Sequence, residues 1–207
     1  MEIMLASGNA HKRAEFARML PSWDVLLPKE RGIEFSCEEN GTTFIDNALI
    51  KARALFRVAP KGTLILADDS GLCVDALDGQ PGIHTARYGM EPGGKELPSG
   101  QRNALLLRNM EAYKEMSQRS AHFVCAIALI ADPYRTFVVQ EAVDGHIAFT
   151  PYGKGGFGYD PIFICDEIGQ SMAAASDALK DQYSHRGRAL NHLARLLEEI
   201  RENAKTL

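Results

Sequence analysis

The sequence predicts an α/β protein built on a mixed, elongated central β-sheet flanked by helices, with two lobes around a cleft. Three observations predict it. In the first third of the chain, helical stripes such as Phe16, Met19 and Leu20, at i, i+3 and i+4, alternate with short extended segments. The run Thr63-Leu64-Ile65-Leu66-Ala67 shows no alternation, which suits a strand covered on both faces. A strand-rich middle from Ala121 to Ala142 then follows.

Taken in order, Glu2 to Ala6 reads as the first strand and Ser7-Gly8-Asn9-Ala10 as a turn into the first helix. A second helix is predicted from Phe44 to Ala59, where Phe44, Ala48, Ala52, Leu55 and Ala59 keep a period near 3.6 and Thr42 or Thr43 can cap the start. Asp68-Asp69-Ser70-Gly71 bounds the apolar run, Leu72 to Ala76 continues extended, and Gly79-Gln80-Pro81-Gly82 turns the chain. Gly89 to Gly100, rich in Gly and Pro, is read as a mobile loop or lobe boundary. A third helix is predicted over Arg102 to Met116. Strands Ala121 to Ala131 and Thr136 to Ala142 meet at the turn signal Asp132-Pro133, and another strand runs from Pro161 to Cys165. The last helix spans Arg188 to Ala204 with Leu190, Leu193, Leu197 and Ile200 on its core face.

The 207 residues are 45% hydrophobic and 24% charged, a globular balance, with a net charge of −4 that argues against a broad basic face for nucleic acid or anionic membrane. A few cations in a cleft can still hold a small anion. The longest apolar run, Phe123 to Ala131, falls short of the roughly 20 residues that span a bilayer. Met1 to Leu5 lacks a basic signal-peptide start. Cys37, Cys73, Cys125 and Cys165 are scattered, with no CxxC, as expected of reduced thiols in a cytoplasmic protein.

Two phosphate-binding motifs are present in letters only. Gly153-x-Gly155-x-x-Gly158 should open a helix after a first strand, yet Tyr159-Asp160-Pro161-Ile162-Phe163 reads as turn and strand. Gly89 to Lys95 resembles a P-loop, but Glu96 stands where the metal-binding Ser or Thr must be. His11, His122, His146 and His192 sit singly, and neither GxSxG nor HExxH occurs.

Three constellations remain. Ser7-Gly8-Asn9-Ala10-His11-Lys12 is either a turn capped by Ser7 or Asn9 or an anion site made of helix N-terminal amides and the Lys12 charge. Asp68 and Asp69, adjacent at the end of an apolar run, are either a solvated turn or a site for a cation, since buried carboxylates need neutralisation. Successive strand residues point to opposite faces, so one carboxylate can reach a cleft while the other meets a structural partner. Mg2+ suits such a site, because it takes one or two carboxylates plus phosphate oxygens and water, and Glu38-Glu39 could add a ligand. Ser184-His185-Arg186-Gly187-Arg188, with Lys180 upstream, is either a basic helix start or a cluster that meets phosphate or a purine edge.

At these residues the chain resembles the non-standard purine nucleoside triphosphate pyrophosphatases, the inosine/xanthosine triphosphate pyrophosphatase family. The resemblance rests on Ser7 to Lys12, on Glu38-Glu39-Asn40-Gly41-Thr42-Thr43-Phe44-Ile45-Asp46-Asn47-Ala48 through Lys51-Ala52, and on Ala67 to Leu72. It continues through Pro81 to Tyr88, Gly155 to Pro161 and Ser184 to Gly187, in family order over nearly the whole chain. Asp46 stands where the family usually has Glu, and Glu141 where it often has Gly.

The resemblance implies one such domain over residues 1–207, two-lobed with no separable linker and usually a homodimer. It implies Mg2+-dependent hydrolysis of ITP, dITP and XTP to the monophosphate and pyrophosphate, with no nucleic-acid or membrane partner. By position, Ser7, Gly8, Asn9, Ala10, His11 and Lys12 would hold the triphosphate. Asp69 would be the base and a metal ligand with Glu38, supported by Asp68 and Lys51. Ser70, Phe157, Gly158, Tyr159, Asp160, Lys180, His185 and Arg186 would line the nucleotide pocket. Two other readings compete: a relative acting on modified pyrimidine nucleotides, and a non-catalytic nucleotide sensor.

Overall fold

The computed structural model describes residues 2–205. Strand β1 (Glu2–Leu5) feeds helix α1 (Ala10–Met19), which starts where the Asn9 side chain accepts from the N–H groups of His11, at 2.9 Å, and Lys12, at 3.3 Å. Those bonds take two of the donors a helix start leaves over. Phe16 is the buried anchor of α1. Strand β2 (Asp24–Leu26) lies parallel to β1, with Glu2 opposite Asp24 and Met4 opposite Leu26.

Helix α2 (Phe44–Val58) is capped by Thr43. Its hydroxyl accepts the Asp46 N–H at 3.1 Å, and the Asp46 carboxylate accepts the Thr43 N–H at 3.1 Å. Aspartate thus closes the reciprocal cap despite being one methylene shorter than the usual Glu. Phe44, Ala48, Ala52 and Leu55 are buried, the stripe that the spacing predicts.

The remaining elements are β3 (Leu64–Val74), α3 (Ser99–Asn109), β4 (Ser120–Asp132), β5 (Arg135–Ile147), β6 (Phe163–Cys165), β7 (Gln170–Ser171), α4 (Asp177–Tyr183) and α5 (His185–Lys205). They form a seven-stranded sheet in the order β2-β1-β3-β4-β5-β6-β7. The sheet is mixed: β1 pairs parallel with β2 and β3, and β6 pairs antiparallel with β5 and β7. The α/β class and the mixed sheet are as predicted.

Several boundaries differ. Strand β3 does not stop at Asp68 but runs on through Asp68-Asp69-Ser70-Gly71, so the predicted turn is mid-strand and almost wholly buried. The turn-like composition is overridden because cations from other elements neutralise the acids. Helix α3 starts at Ser99 and ends by Asn109, short of the predicted Met116. Strands β2 and β7 and helix α4 carry no predicted counterpart; two or three residues give no period to read. Gly153 to Gly158 leads into a 3₁₀ turn and β6, not a helix, in keeping with the rejected dinucleotide motif.

The chain divides into two compact units, one of residues 1–69, 125–141 and 186–207, the other of 70–124 and 142–185. Each passage between them falls inside β3, β4, β5 or α5. Gly89 to Gly100 lies wholly in the second unit and is not a lobe boundary. The first unit's core includes Ile3, Phe16, Leu66, Ile127 and Leu193; the second's includes Leu72, Leu106, Phe123, Ile162 and Phe163. Among the described residues no helix is long and apolar enough to cross a membrane.

Candidate active site

In the first unit the alternation of β3 sends its two carboxylates to different partners. The Asp68 side chain is fully buried. One oxygen lies 2.7 Å from Lys12 Nζ on α1, and the other accepts Arg186 Nε at 3.1 Å and Nη2 at 3.0 Å from α5. Asp69 accepts Lys51 Nζ at 2.7 Å and Asn47 Nδ2 at 3.4 Å, both from α2. Asn47 and Lys51 are one helical turn apart and so share a face. Asn47 also accepts the Gly41 N–H at 2.9 Å, which ties the preceding loop to α2. A Cβ at Gly41 would lie 2.7 Å from that Asn47 oxygen, so the approach needs glycine.

The partners split the two acids chemically. Burial alone would push Asp68 up, but Lys12, Arg186 and Lys51 outweigh it and hold the carboxyl well below the usual range. At Asp69 burial wins: the carboxyl is raised, Lys51 and Lys12 oppose the shift, and the Glu39 charge adds to it. Asp68 is therefore a permanent anion, and Asp69 a carboxylate with greater proton affinity. Lys51 is held charged above its ordinary range, because Asp69, Asp68 and Glu39 outweigh the effect of burial.

Glu39 completes this cluster. It accepts Lys51 Nζ at 2.9 Å and shares a hydrogen bond with Asp69. Burial raises its pKa, but Lys51 more than offsets that and keeps it lowered. Glu38, the ligand that the resemblance implies, is exposed, and the structure brings its neighbour to Asp69 instead. Two carboxyl groups in hydrogen-bond contact need a proton or a cation between them. Among the described residues no group of three or more His, Cys, Asp and Glu side chains converges. Lys51, which donates to both, is one such cation; Asp69 and Glu39 are also the pair that could hold a cation such as Mg2+, which takes few carboxylates and fills the rest of its sphere with phosphate oxygens and water.

Ser7 to Lys12 sits at the start of α1, with Ser7 Oγ accepting the Asn9 N–H at 3.0 Å. The segment is a capped turn, and Lys12, a neighbour of Asp68 through its ammonium, also feels the charges of Asp69 and Glu39. Arg186, expected at the nucleotide base, instead turns its guanidinium to Asp68 and to Glu15, which accepts Nη1 at 2.8 Å. Ser70 is half-buried on β3, just beyond Asp69.

The second unit assembles most of the other residues. Lys180 donates to Asp160 at 2.6 Å, and the same Asp160 oxygen accepts the Phe157 N–H at 3.0 Å. Lys180 Nζ lies 5.9 Å from the centre of the half-buried Phe157 ring. Tyr159 is buried, donates its hydroxyl to the Thr85 carbonyl at 3.0 Å, and is raised well above the phenol range, chiefly by burial. Gly158 accepts from Asn103 Nδ2 at 3.2 Å. His185 is buried and stacked on Phe123, centroids 4.6 Å apart and planes 11° from parallel.

Sequence reasoning missed Glu39 as the partner of Lys51, Asn47 as the brace on Asp69, and Glu15. The helical spacings Asn47–Lys51 and Lys12–Glu15 were the available signals. It also missed Arg119, a buried guanidinium that donates to the carbonyls of Ile147, Met110, Tyr113 and Ala148 and ties together two segments of the second unit.

Comparison with known proteins bears on this arrangement. The Ham1 family profile matches residues 3–196. A dITP/XTP pyrophosphatase of Treponema denticola is 46% identical over 198 residues, spanning 96% of this chain and 99% of that relative. Among solved structures, a HAM1 protein from Coxiella burnetii superposes with a TM-score of 0.82 at 38% identity, over 96% of this chain and 99% of the other. A structure from Mycobacterium abscessus, described as a nucleoside-triphosphatase / dITP/XTP pyrophosphatase, superposes at 0.72 with 38% identity, over 93% and 98%.

Proposed function

The chain belongs to the Ham1 family, and from that premise we propose that it is a hydrolase that cleaves non-standard purine nucleoside triphosphates, dITP, XTP and ITP, to the monophosphate and pyrophosphate with Mg2+. The relatives named dITP/XTP pyrophosphatase support the substrate class. The observation that carries the reading is the division between two adjacent acids, Asp68 ion-paired and held ionised, Asp69 raised by burial.

In this reading Asp69 takes the proton of the attacking water at its carboxylate, a role that general bases fill to an extent of about 10²–10⁴-fold in rate. Lys51 fixes the direction of Asp69 and of Glu39. Asp69 and Glu39 would hold Mg2+, whose chemistry is to neutralise charge on the phosphate oxygens. Lys12 and the Ser7 to His11 segment hold the triphosphate at the start of α1. Phe157 offers a face for stacking on the purine, in a loop that Asp160 and Lys180 hold. Tyr159 and Gly158 shape that loop, and Ser70 lines the pocket. His185 donates to a 6-keto oxygen. Adenine carries an amino donor at that position, so the imidazole donor would be left unpaired, a penalty that discriminates strongly.

By the family resemblance the working form is a homodimer, which sedimentation of the purified chain tests. A cytoplasmic setting agrees with the free state of Cys37, Cys73, Cys125 and Cys165. The function is tested by pyrophosphate release from ITP, XTP, dITP, ATP and GTP, with Mg2+ and with chelator. Fast, chelator-sensitive release from the first three and little from ATP or GTP is the expected result. Turnover of modified pyrimidine triphosphates without ITP turnover would give the site to the other nucleotide class. Binding of ITP with no turnover at all would make the protein a sensor.

A further inference from the structure

The Arg186 guanidinium poses a charge problem that the reaction does not explain. Asp68 is a single carboxylate facing two cations: Lys12 at 2.7 Å on one oxygen, and Arg186 at 3.0 and 3.1 Å on the other. The Asp68 side chain is 0% exposed and that of Arg186 is 5% exposed. Two cations on one buried acid are favoured by a second acid close to them. Glu15 is such an acid: its carboxylate lies 2.8 Å from Arg186 Nη1, with its side chain only 15% exposed.

The four residues close a ring. Lys12 and Glu15 stand three apart on α1, hence on one face, and Asp68 on β3 and Arg186 on α5 join their tips. All four belong to the same compact unit. Arg186 meets one oxygen of Asp68, Oδ2, with two of its three nitrogens, and meets Glu15 with the third. With Oδ2 held there and Oδ1 against Lys12, the position of the Asp68 carboxylate ties the Lys12 ammonium to Arg186. An ammonium has three donors. Its ion pair with Asp68 at 2.7 Å fixes where that charge sits.

We propose that Glu15 is a positioning residue that acts through Arg186 and Asp68 to hold the Lys12 ammonium in place for a triphosphate. The proposal rests on the functional reading above only in naming Lys12 as the triphosphate ligand. It assigns Glu15 no contact with substrate. It also gives Arg186 a second task besides a basic helix start: it distributes the Asp68 charge, so that Lys12 is anchored without being capped.

The test uses the full chain with Glu15→Gln, which keeps the shape and an acceptor but loses the charge, and Glu15→Asp, which keeps the charge but shortens the reach. Two quantities are read: the Kd for inorganic triphosphate by calorimetry, and KM and kcat for ITP. A misplaced binding group costs roughly tenfold or more, so Glu15→Gln is expected to raise Kd and KM by that order and leave kcat within about twofold. In a Lys12→Ala background the same change is expected to add almost nothing, because its effect travels through Lys12. Should Glu15→Gln fail to give a cooperative unfolding transition, Glu15→Asp in the two backgrounds makes the same decision. Unchanged or tighter triphosphate binding in a folded variant overturns the proposal, as does a full, additive loss in the Lys12→Ala background. If the parent chain never turns over ITP, the functional reading falls, and the Kd for inorganic triphosphate still decides the role of Glu15.

Discussion

In one compact unit, Asp68 and Asp69 stand side by side on β3 among Lys12, Lys51 and Arg186; in the other, Asp160 faces Lys180. Both clusters are buried acid–cation arrangements of similar distance, 2.6 to 3.0 Å. They differ in closure. At Asp160 one oxygen takes both Lys180 and the Phe157 N–H, so the pair organises a loop. At β3 every charged partner is shared: Asp68 between two cations, Lys51 between Asp69 and Glu39. Sharing leaves the acids in unlike states, one driven down by its cations and one driven up by burial and a like charge. One arrangement braces a loop, whereas the other leaves two adjacent acids with unlike proton affinities.

The largest expected effect tests the frame-like member of the reactive cluster. Asp68→Asn leaves Arg186 and Lys12 short of a buried counter-charge and should cost about 3–5 kcal/mol of stability, read by denaturant unfolding. The pH dependence should change with it. The Asp68 pKa is depressed in the folded chain, so its contribution is complete above the unfolded value of about 3.9 and is lost as pH falls below it. The parent should therefore lose stability on acidification more steeply than the variant. Equal slopes would place the neutralising charge elsewhere.

The next effect tests the frame itself. Gly156 has φ of +70°, and a Cβ there would sit 1.9 Å from the Asp160 oxygen that takes Lys180. Gly156→Ala should cost about 1–3 kcal/mol and raise KM for ITP more than it lowers kcat, since it disturbs the Phe157 loop and not β3. A dominant loss of kcat would erase the distinction between the two clusters.

The smallest expected effect is a pH shift in metal demand. Burial and the Glu39 charge raise the proton affinity of Asp69, so protons compete for the pair that would hold Mg2+. The half-activating Mg2+ concentration should climb as pH is lowered toward the range just above the ordinary aspartate value of about 3.9. A flat dependence would detach the metal from Asp69 and Glu39.

How much of this was legible in the sequence follows from how local each signal is. The stripe of α2 and the unalternated run of β3 depend on neighbours a few residues apart, and both stand as read. The opposite directions of Asp68 and Asp69 follow from strand geometry alone. The continuation of β3 through four turn-forming residues was not legible, because what permits it is Arg186, which lies 118 residues away. Glu38 and Glu39 could not be ranked either. They sit in a segment without regular structure, where no period says which side chain turns inward, and the choice is made by Lys51 and by the Asn47–Gly41 tie. Arg186 was recognisable as important from its motif, but its partners Asp68 and Glu15 are set by the packing of α1, β3 and α5.

The measurement that bears most directly on the division between the two acids is kcat for ITP in Asp69→Asn, taken together with its unfolding midpoint. Asp69 carries its charge at a cost in the folded chain, so amidation should not lower the midpoint, while kcat should fall at least about 100-fold as a positioned base is lost. A rate close to that of the parent, or a fall that merely follows a loss of stability, would contradict the assignment.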